Sequence, residues 1–408
     1  MKRVVVTGMG GLTPIGNDVD SMWEAMVAGR HGIAPITRYD TTGMKVGLGA
    51  EVKNFDPGLY LEASEVRKTD LYAQYGIAAA VQAMDDAGLA GAIDPFRLGV
   101  YIGAGIGGIT TLIEETGVLL NRGPQRISPF FVPKMIANIA SALVAMRYQA
   151  MGPSLPVVSA CSSGTNAIGE AFRALKYGAA DAILAGGAEA SINPLAVGGF
   201  TNSMALSKST DPDAASIPFD ARRNGFVIGE GAGVLVLEEL EHAKARGAQI
   251  YCEIVGYGNT NDAYHITAPH PEAAGSSAAI RLAFEEAEIT PDAALYINAH
   301  GTSTPLNDKI ETLAIKKALG AAAYEVAISS TKSMTGHMLG AAGGVEAIAA
   351  IKALQTGQIP PTVGLVEPDP DCDLNYTPNQ VQTRPLETAL SLSFGFGGHN
   401  AGILLRKY

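Results

Sequence analysis

Hydrophobic positions along the chain fall into short apolar runs separated by longer stretches of helical period. Runs at 3–7, 98–103, 156–160, 181–186, 232–237, 251–256, 294–298, 326–330, 389–393 and 401–406 predict strands. Between them, 72–87, 164–177, 276–288 and 340–355 repeat apolar residues every three to four positions and predict helices. Such alternation predicts an α/β fold with buried sheets.

The order of the pieces recurs. "AAAVQAMDDAGL" followed by "LGVYIGAGIGG" is matched by "AAIRLAFEEAEI" followed by "ALYINAHGTST". "VVSACSSG" with a helix ending "ALKYG" is matched by "AISSTKSMTG" with a helix ending "ALQTG". "GEGAGVLVLEE" is matched by "FGGHNAGILLRK". A duplicated unit is the economical account, with halves at 1–250 and 251–408, each expected to supply one sheet. If the halves pack face to face, the loops after corresponding strands meet near a pseudo-twofold axis. The long intervening segments 104–155 and 187–231 are then caps, pocket walls or dimer contacts.

Composition narrows the function classes. The 408 residues are 47% hydrophobic and 17% charged, which suits a large core. The net charge of −11 repels nucleic acid and anionic membranes, so neither is expected as a partner. "MKRVVVTGMGG" has three valines before glycine, too few for a secretory segment. The most apolar window, 338–354, carries Glu346 and Lys352 and predicts a buried helix. Cys161, Cys252 and Cys372 are odd in number and far apart, which fits a reducing, cytoplasmic setting. No CxxC spacing suggests zinc, and no metal is expected.

"PVVSACSSGTNAIG" places Cys161 at a strand-to-helix turn. That context allows an inert core thiol, but it also puts backbone N–H groups and a helix N-terminus beside the sulfur. Both favour thiolate, so a lowered thiol pKa is expected. A cysteine nucleophile needs a base or an electrostatic partner. The second half offers His300 in "NAHGTSTPLND" and Lys332 in "SSTKSMTGHMLGAAGG", each at a strand end, and His337 in the latter leading into a helix, all among small residues. In "SFGFGGHN", glycines around Phe396 free backbone N–H groups to face a ligand, as an oxyanion hole requires, although a tight β-turn reads the same way. "GAGIGG" at 103–108 lacks the spacing of a dinucleotide site.

Taken together and in order, "ACSSG", "NAHGTSTP", "TKSMTGHMLGAAG" and "SFGFGGHN" resemble the elongating β-ketoacyl-acyl-carrier-protein synthases of type II fatty-acid synthesis, over essentially the whole chain. The resemblance implies a thiolase-like fold, a five-layer α-β-α-β-α sandwich, in a homodimer. It implies decarboxylative condensation of malonyl-carrier with an acyl group held on Cys161, with His300 and His337 catalytic and Lys332 in support. The amides of Cys161 and Phe396 match the oxyanion hole, and the Phe396 ring matches a gate. Thr302 and Thr304 match pantetheine-binding positions, Ile106 and Phe200 acyl-pocket positions, and Glu346 a buried carboxylate near the lysine. Arg67, Lys68 and Arg126 sit where the family meets its acidic acyl carrier protein, with Glu65 and Gln125 thinning the positive charge. No cofactor is implied, since the phosphopantetheine arm arrives with the carrier. A degradative thiolase would carry a second cysteine in the C-terminal motifs, and a starter-type synthase would replace a histidine by asparagine. A polyketide ketosynthase shares nearly the same motifs.

Overall fold

The computed structural model describes residues 1–408. Ten strands form the main sheet: β1 Val4–Leu12, β2 Leu98–Gly103, β3 Ser154–Val157, β4 Ala182–Glu189, β5 Gly231–Glu239, β6 Cys252–Asn261, β7 Leu295–Asn298, β8 Ala327–Ser329, β9 Thr388–Gly395 and β10 His399–Arg406. The helices that matter here are α1 Leu71–Ala87, α2 Ser163–Lys176, α3 Pro194–Asn202, α4 Ala274–Ala287, α5 Pro305–Leu319 and α6 Ala342–Thr356. All ten predicted strands and all four predicted helices are present, with shifted ends. β1 runs on through "TGMGG" by pairing with β5, and glycine there lets the strand lie against α1: a Cβ on Gly10 would stand 2.0 Å from the Ala79 carbonyl oxygen.

The strand order is β8-β7-β9-β10-β6-β1-β5-β4-β2-β3. Numbered within each half, that is third, second, fourth, fifth, first, and then the same series reversed. Pairing directions repeat as well, with two parallel pairs at each outer end and antiparallel pairs inward. The expectation of one separate sheet per half is corrected at the centre. β1 and β6 pair antiparallel through Val4–Ile254, Val5–Glu253 and Val6–Cys252, so the two five-stranded halves share one hydrogen-bonded sheet. Glu253 also binds both chain ends, accepting from Arg3 at 2.6 and 2.8 Å and from Arg406 at 2.6 Å.

The period-two pattern of the strands divides their side chains between layers. Val4, Val6, Leu235 and Leu237 of one half face the same core as Ala401, Ile403 and Leu405 of the other. That central core is filled by α2 and α6, which the two halves of the sheet enclose. α6 is buried nearly all round, as a helix with apolar residues on every side must be. The opposite strand faces, such as Val234 and Val236, pack on α1, while Leu390 and Leu404 pack on α4. The result is five layers: helix, sheet, central helix pair, sheet, helix. α2 follows β3 and α6 follows β8, the third strand of each half, so the pseudo-twofold brings their N-terminal turns together.

Candidate active site

Cys161 lies in a single 3-10 turn, Ala160–Ser162, between β3 and α2. Ala160 before it has φ of 52°, a left-handed conformation that costs a non-glycine residue about 1–2 kcal/mol and turns the thiol out of the strand direction. Asn166 donates to Ser159 Oγ at 2.7 Å and the Ser159 amide donates to Ser163 Oγ at 2.9 Å, holding the elbow from behind. The β9–β10 turn closes over it. A Cβ on Gly395 would stand 2.7 Å from the Ser159 carbonyl oxygen and 3.2 Å from the Cys161 nitrogen, so this approach requires glycine. The amides of Phe396 and of Cys161 itself are near enough to the sulfur to favour its thiolate form.

A cavity of about 350 Å³ opens above the thiol. Its walls include Cys161, Phe200, Phe226, His300, Thr302, Thr304, His337 and Phe396, so residues spread over more than half the chain meet in one space. His300 follows β7 and is buried; its amide and that of Gly301 each donate at 2.7 Å to Glu311 of α5. His337 is fixed through its backbone, its amide donating to the Val227 carbonyl at 2.7 Å, and its ring packs against Phe226 at 5.1 Å. His300 Nδ1 and both ring nitrogens of His337 have no protein partner, which leaves hydrogen-bonding capacity for a substrate. Burial holds both imidazoles well below the ordinary histidine range, with the Lys332 charge pushing the same way. Both rings are therefore neutral near pH 7.

Lys332 begins the helical turn Lys332–Thr335 and is 1% exposed. Its Nζ donates to Glu346 of α6, which is equally buried and whose second oxygen has no partner. Neither residue lines the cavity; the ammonium sits beneath it, near enough for its charge to act on Cys161, His300 and His337.

The expected lowering of the thiol pKa does not occur. Burial pushes Cys161 up, to about 12, and Lys332 and the two amides recover only part of that shift. The thiol precedes the first turn of α2 and lines a largely apolar cavity, where desolvation of a thiolate outweighs nearby N–H groups.

Phe200 of α3 stacks obliquely on Phe396, ring centroids 6.4 Å apart, and meets Phe226 edge-on at 5.5 Å. Thr302 and Thr304 share a 2.9 Å hydroxyl contact on the cavity wall. Ile106 does not line the cavity: the amides around it are held by a carboxylate, and its side chain is 38% exposed in the single chain. Arg67, Lys68 and Arg126 are exposed and outside the cavity, with the Lys68 ammonium 5.6 Å from the centre of the Phe130 ring. Sequence reasoning missed two buried carboxylates that hold site loops, Glu311 and Glu189. A signal existed for each: Glu189 is the sole charge in "AILAGGAEAS", and Glu311 lies one helical turn after Asp308.

The chain resembles known proteins over its whole length. The family model described as "Beta-ketoacyl synthase, N-terminal domain" matches residues 1–243, and the corresponding C-terminal domain matches 251–366. The chain belongs to the β-ketoacyl synthase family, with its thiolase-like ketosynthase fold. Among curated relatives, 3-oxoacyl-[acyl-carrier-protein] synthase 2 of Synechocystis sp. is 50% identical, covering 100% of this chain and 98% of that protein. The protein of the same name from Coxiella burnetii is 47% identical, covering 100% and 99%. A solved β-ketoacyl synthase from Burkholderia phymatum superimposes with a TM-score of 0.93 at 36% identity, covering all of both chains. A type II polyketide ketosynthase, solved in complex with its acyl carrier protein and bound to the hexaketide, gives 0.92 at 37%, covering 100% of this chain and 99% of that one.

Proposed function

We propose that the protein is an elongating β-ketoacyl-acyl-carrier-protein synthase of fatty-acid synthesis. It takes an acyl group from acyl-carrier onto Cys161 and condenses it with malonyl-carrier, giving 3-oxoacyl-carrier and CO2. The observation that carries this reading is the meeting of one cysteine and two neutral histidines with unpartnered ring nitrogens in a single cavity.

In the first half-reaction the Cys161 sulfur attacks the carrier thioester, and its proton leaves with the carrier thiol. The developing oxyanion faces the amides of Cys161 and Phe396. Malonyl-carrier then binds with its thioester oxygen toward His300 and His337. Loss of CO2 leaves an enolate that neutral imidazoles stabilise by hydrogen bonding without protonating the carbanion. The carbanion attacks the Cys161 thioester, a C–C bond forms, and the sulfur departs and takes up a proton. Lys332 keeps the site positive beneath the reacting groups.

Thr302 and Thr304 are suited to the pantetheine arm, and Phe396 with Phe200 to gating the acyl side. Glu346 supports Lys332. The chemistry calls on no cofactor and no metal. We read the enzyme as cytoplasmic and homodimeric, with acyl carrier protein docking near Arg67, Lys68 and Arg126. Three free cysteines support the first, and the exposed edge strand β3 with Leu155 and Val158 supports the second. No helix is long and apolar enough to cross a membrane.

The test is an elongation assay with carrier-bound acyl chains and malonyl-carrier. Cys161→Ala should abolish condensation, Cys161→Gln should leave malonyl decarboxylation active, and a cerulenin-like epoxide should modify the Cys161 peptide. Full condensation by either variant would overturn the reading.

A further inference from the structure

The carboxylate of Glu189 ends β4 and is wholly buried. It accepts hydrogen bonds from four backbone amides. Gly105 reaches Oε2 at 2.7 Å, Ile106 reaches it at 3.2 Å, and Gly107 reaches Oε1 at 3.3 Å. Gly340 donates to Oε2 at 3.2 Å, and the Ser191 hydroxyl to Oε1 at 3.1 Å. Three of these amides belong to the loop after β2 in the first half. The fourth lies three residues beyond His337 in the second half.

The segments joined by this carboxylate are in contact with one another and with the nucleophile turn. A Cβ on Gly340 would stand 2.3 Å from the Gly105 nitrogen, and one on Gly105 would stand 3.3 Å from the carbonyl oxygen of Ala160. Ser163 Oγ also reaches the Ala104 carbonyl at 3.4 Å. An apolar residue at the end of this apolar strand would avoid the desolvation of a carboxylate, so packing alone does not account for Glu189. Burial raises its pKa to about 7 against the pull of the amides, and its charge in turn disfavours a Cys161 thiolate.

Resting on the condensing reading above, we infer that Glu189 is a positioning residue for the acyl-transfer half-reaction: it holds the 104–107 loop against the Cys161 elbow and anchors that loop to Gly340 across the two halves. It acts through backbone amides and touches no substrate. The malonyl side depends less on it, because His300 and His337 are held by Glu311 and the Val227 carbonyl.

The experiment compares parent, Glu189→Gln and Ser191→Ala in two assays. One follows acylation of Cys161 by acyl-carrier; the other follows malonyl decarboxylation in the Cys161→Gln background. Glu189→Gln should slow acylation by about tenfold or more, since small misplacements of a nucleophile are costly, with decarboxylation falling by about twofold at most. Ser191→Ala, which removes one of the donors, should slow acylation by roughly threefold. The pH profile of Cys161 alkylation by iodoacetamide should also move to lower pH in Glu189→Gln, because a negative charge acting on the thiol is gone. Ser191→Ala, which removes a donor but keeps that charge, should leave the profile in place. Unchanged acylation, equal losses in both half-reactions, or an unmoved alkylation profile overturns the inference. If Glu189→Gln does not fold, unchanged acylation in Ser191→Ala overturns it. A parent enzyme inactive in both assays overturns the condensing reading instead.

Discussion

His300 and His337 stand edge to face, with ring centroids 5.2 Å apart and ring planes at 87°. Both come from the second half, and the thiol they face comes from the first. Perpendicular rings let two donors converge on one oxygen from different directions, which suits a developing enolate better than a parallel stack would.

His300→Ala or His337→Ala should each lower malonyl decarboxylation about 10²–10³-fold, read as CO2 release in the Cys161→Gln background. Because burial holds both imidazoles well below the ordinary range, decarboxylation should stay flat as pH falls from 8 through about 6.5. Full activity in both variants, or a loss centred on the ordinary histidine range, would remove them from the mechanism.

Alkylation of the unliganded enzyme tests the raised thiol. With Cys161 pushed up to about 12, thiolate is a small fraction at neutral pH and grows with every step upward. The rate of iodoacetamide modification should rise by about tenfold per pH unit between about pH 7 and 9. A plateau in that window would mean that the site stabilises thiolate before substrate binds.

The Lys332–Glu346 pair should matter more when halved than when replaced. Glu346→Ala leaves a buried ammonium without its partner and should cost about 3–5 kcal/mol in urea unfolding. Lys332→Met combined with Glu346→Leu should recover most of that stability and still lose condensation. Equal stability of the single and double variants would contradict a paired role.

Charge reversal at Arg67 and Lys68 tests the docking face. The double variant Arg67→Glu, Lys68→Glu should raise KM for carrier-bound substrates and make it less sensitive to salt, with kcat little changed. An unchanged KM would place the carrier elsewhere on the surface.

Much of the architecture was legible because the strands are apolar on both faces and the helices between them have clear period. The repeat of motif order also anticipated that Cys161 and His337 follow corresponding strands. Three features were not legible, each for a physical reason. The thiol pKa depends on desolvation by a cavity that only the folded chain creates. The Glu189 contacts join residues 82 to 151 positions apart through backbone amides, which carry no side-chain signature. The β1–β6 seam rests on three residue pairs between first strands, and period-two patterning is silent about which edges meet.

Arg3 and Arg406 meet on the single carboxylate of Glu253, so the first and last strands flank β6 at the middle of the sheet. In space the polypeptide is nearly a ring. Joining residues 3 and 406 through a short linker, and reopening the chain at an exposed turn such as 90–92, would preserve every strand neighbour. The repeated halves would then differ in which strand is synthesised first, while Cys161 and the two histidines kept their places.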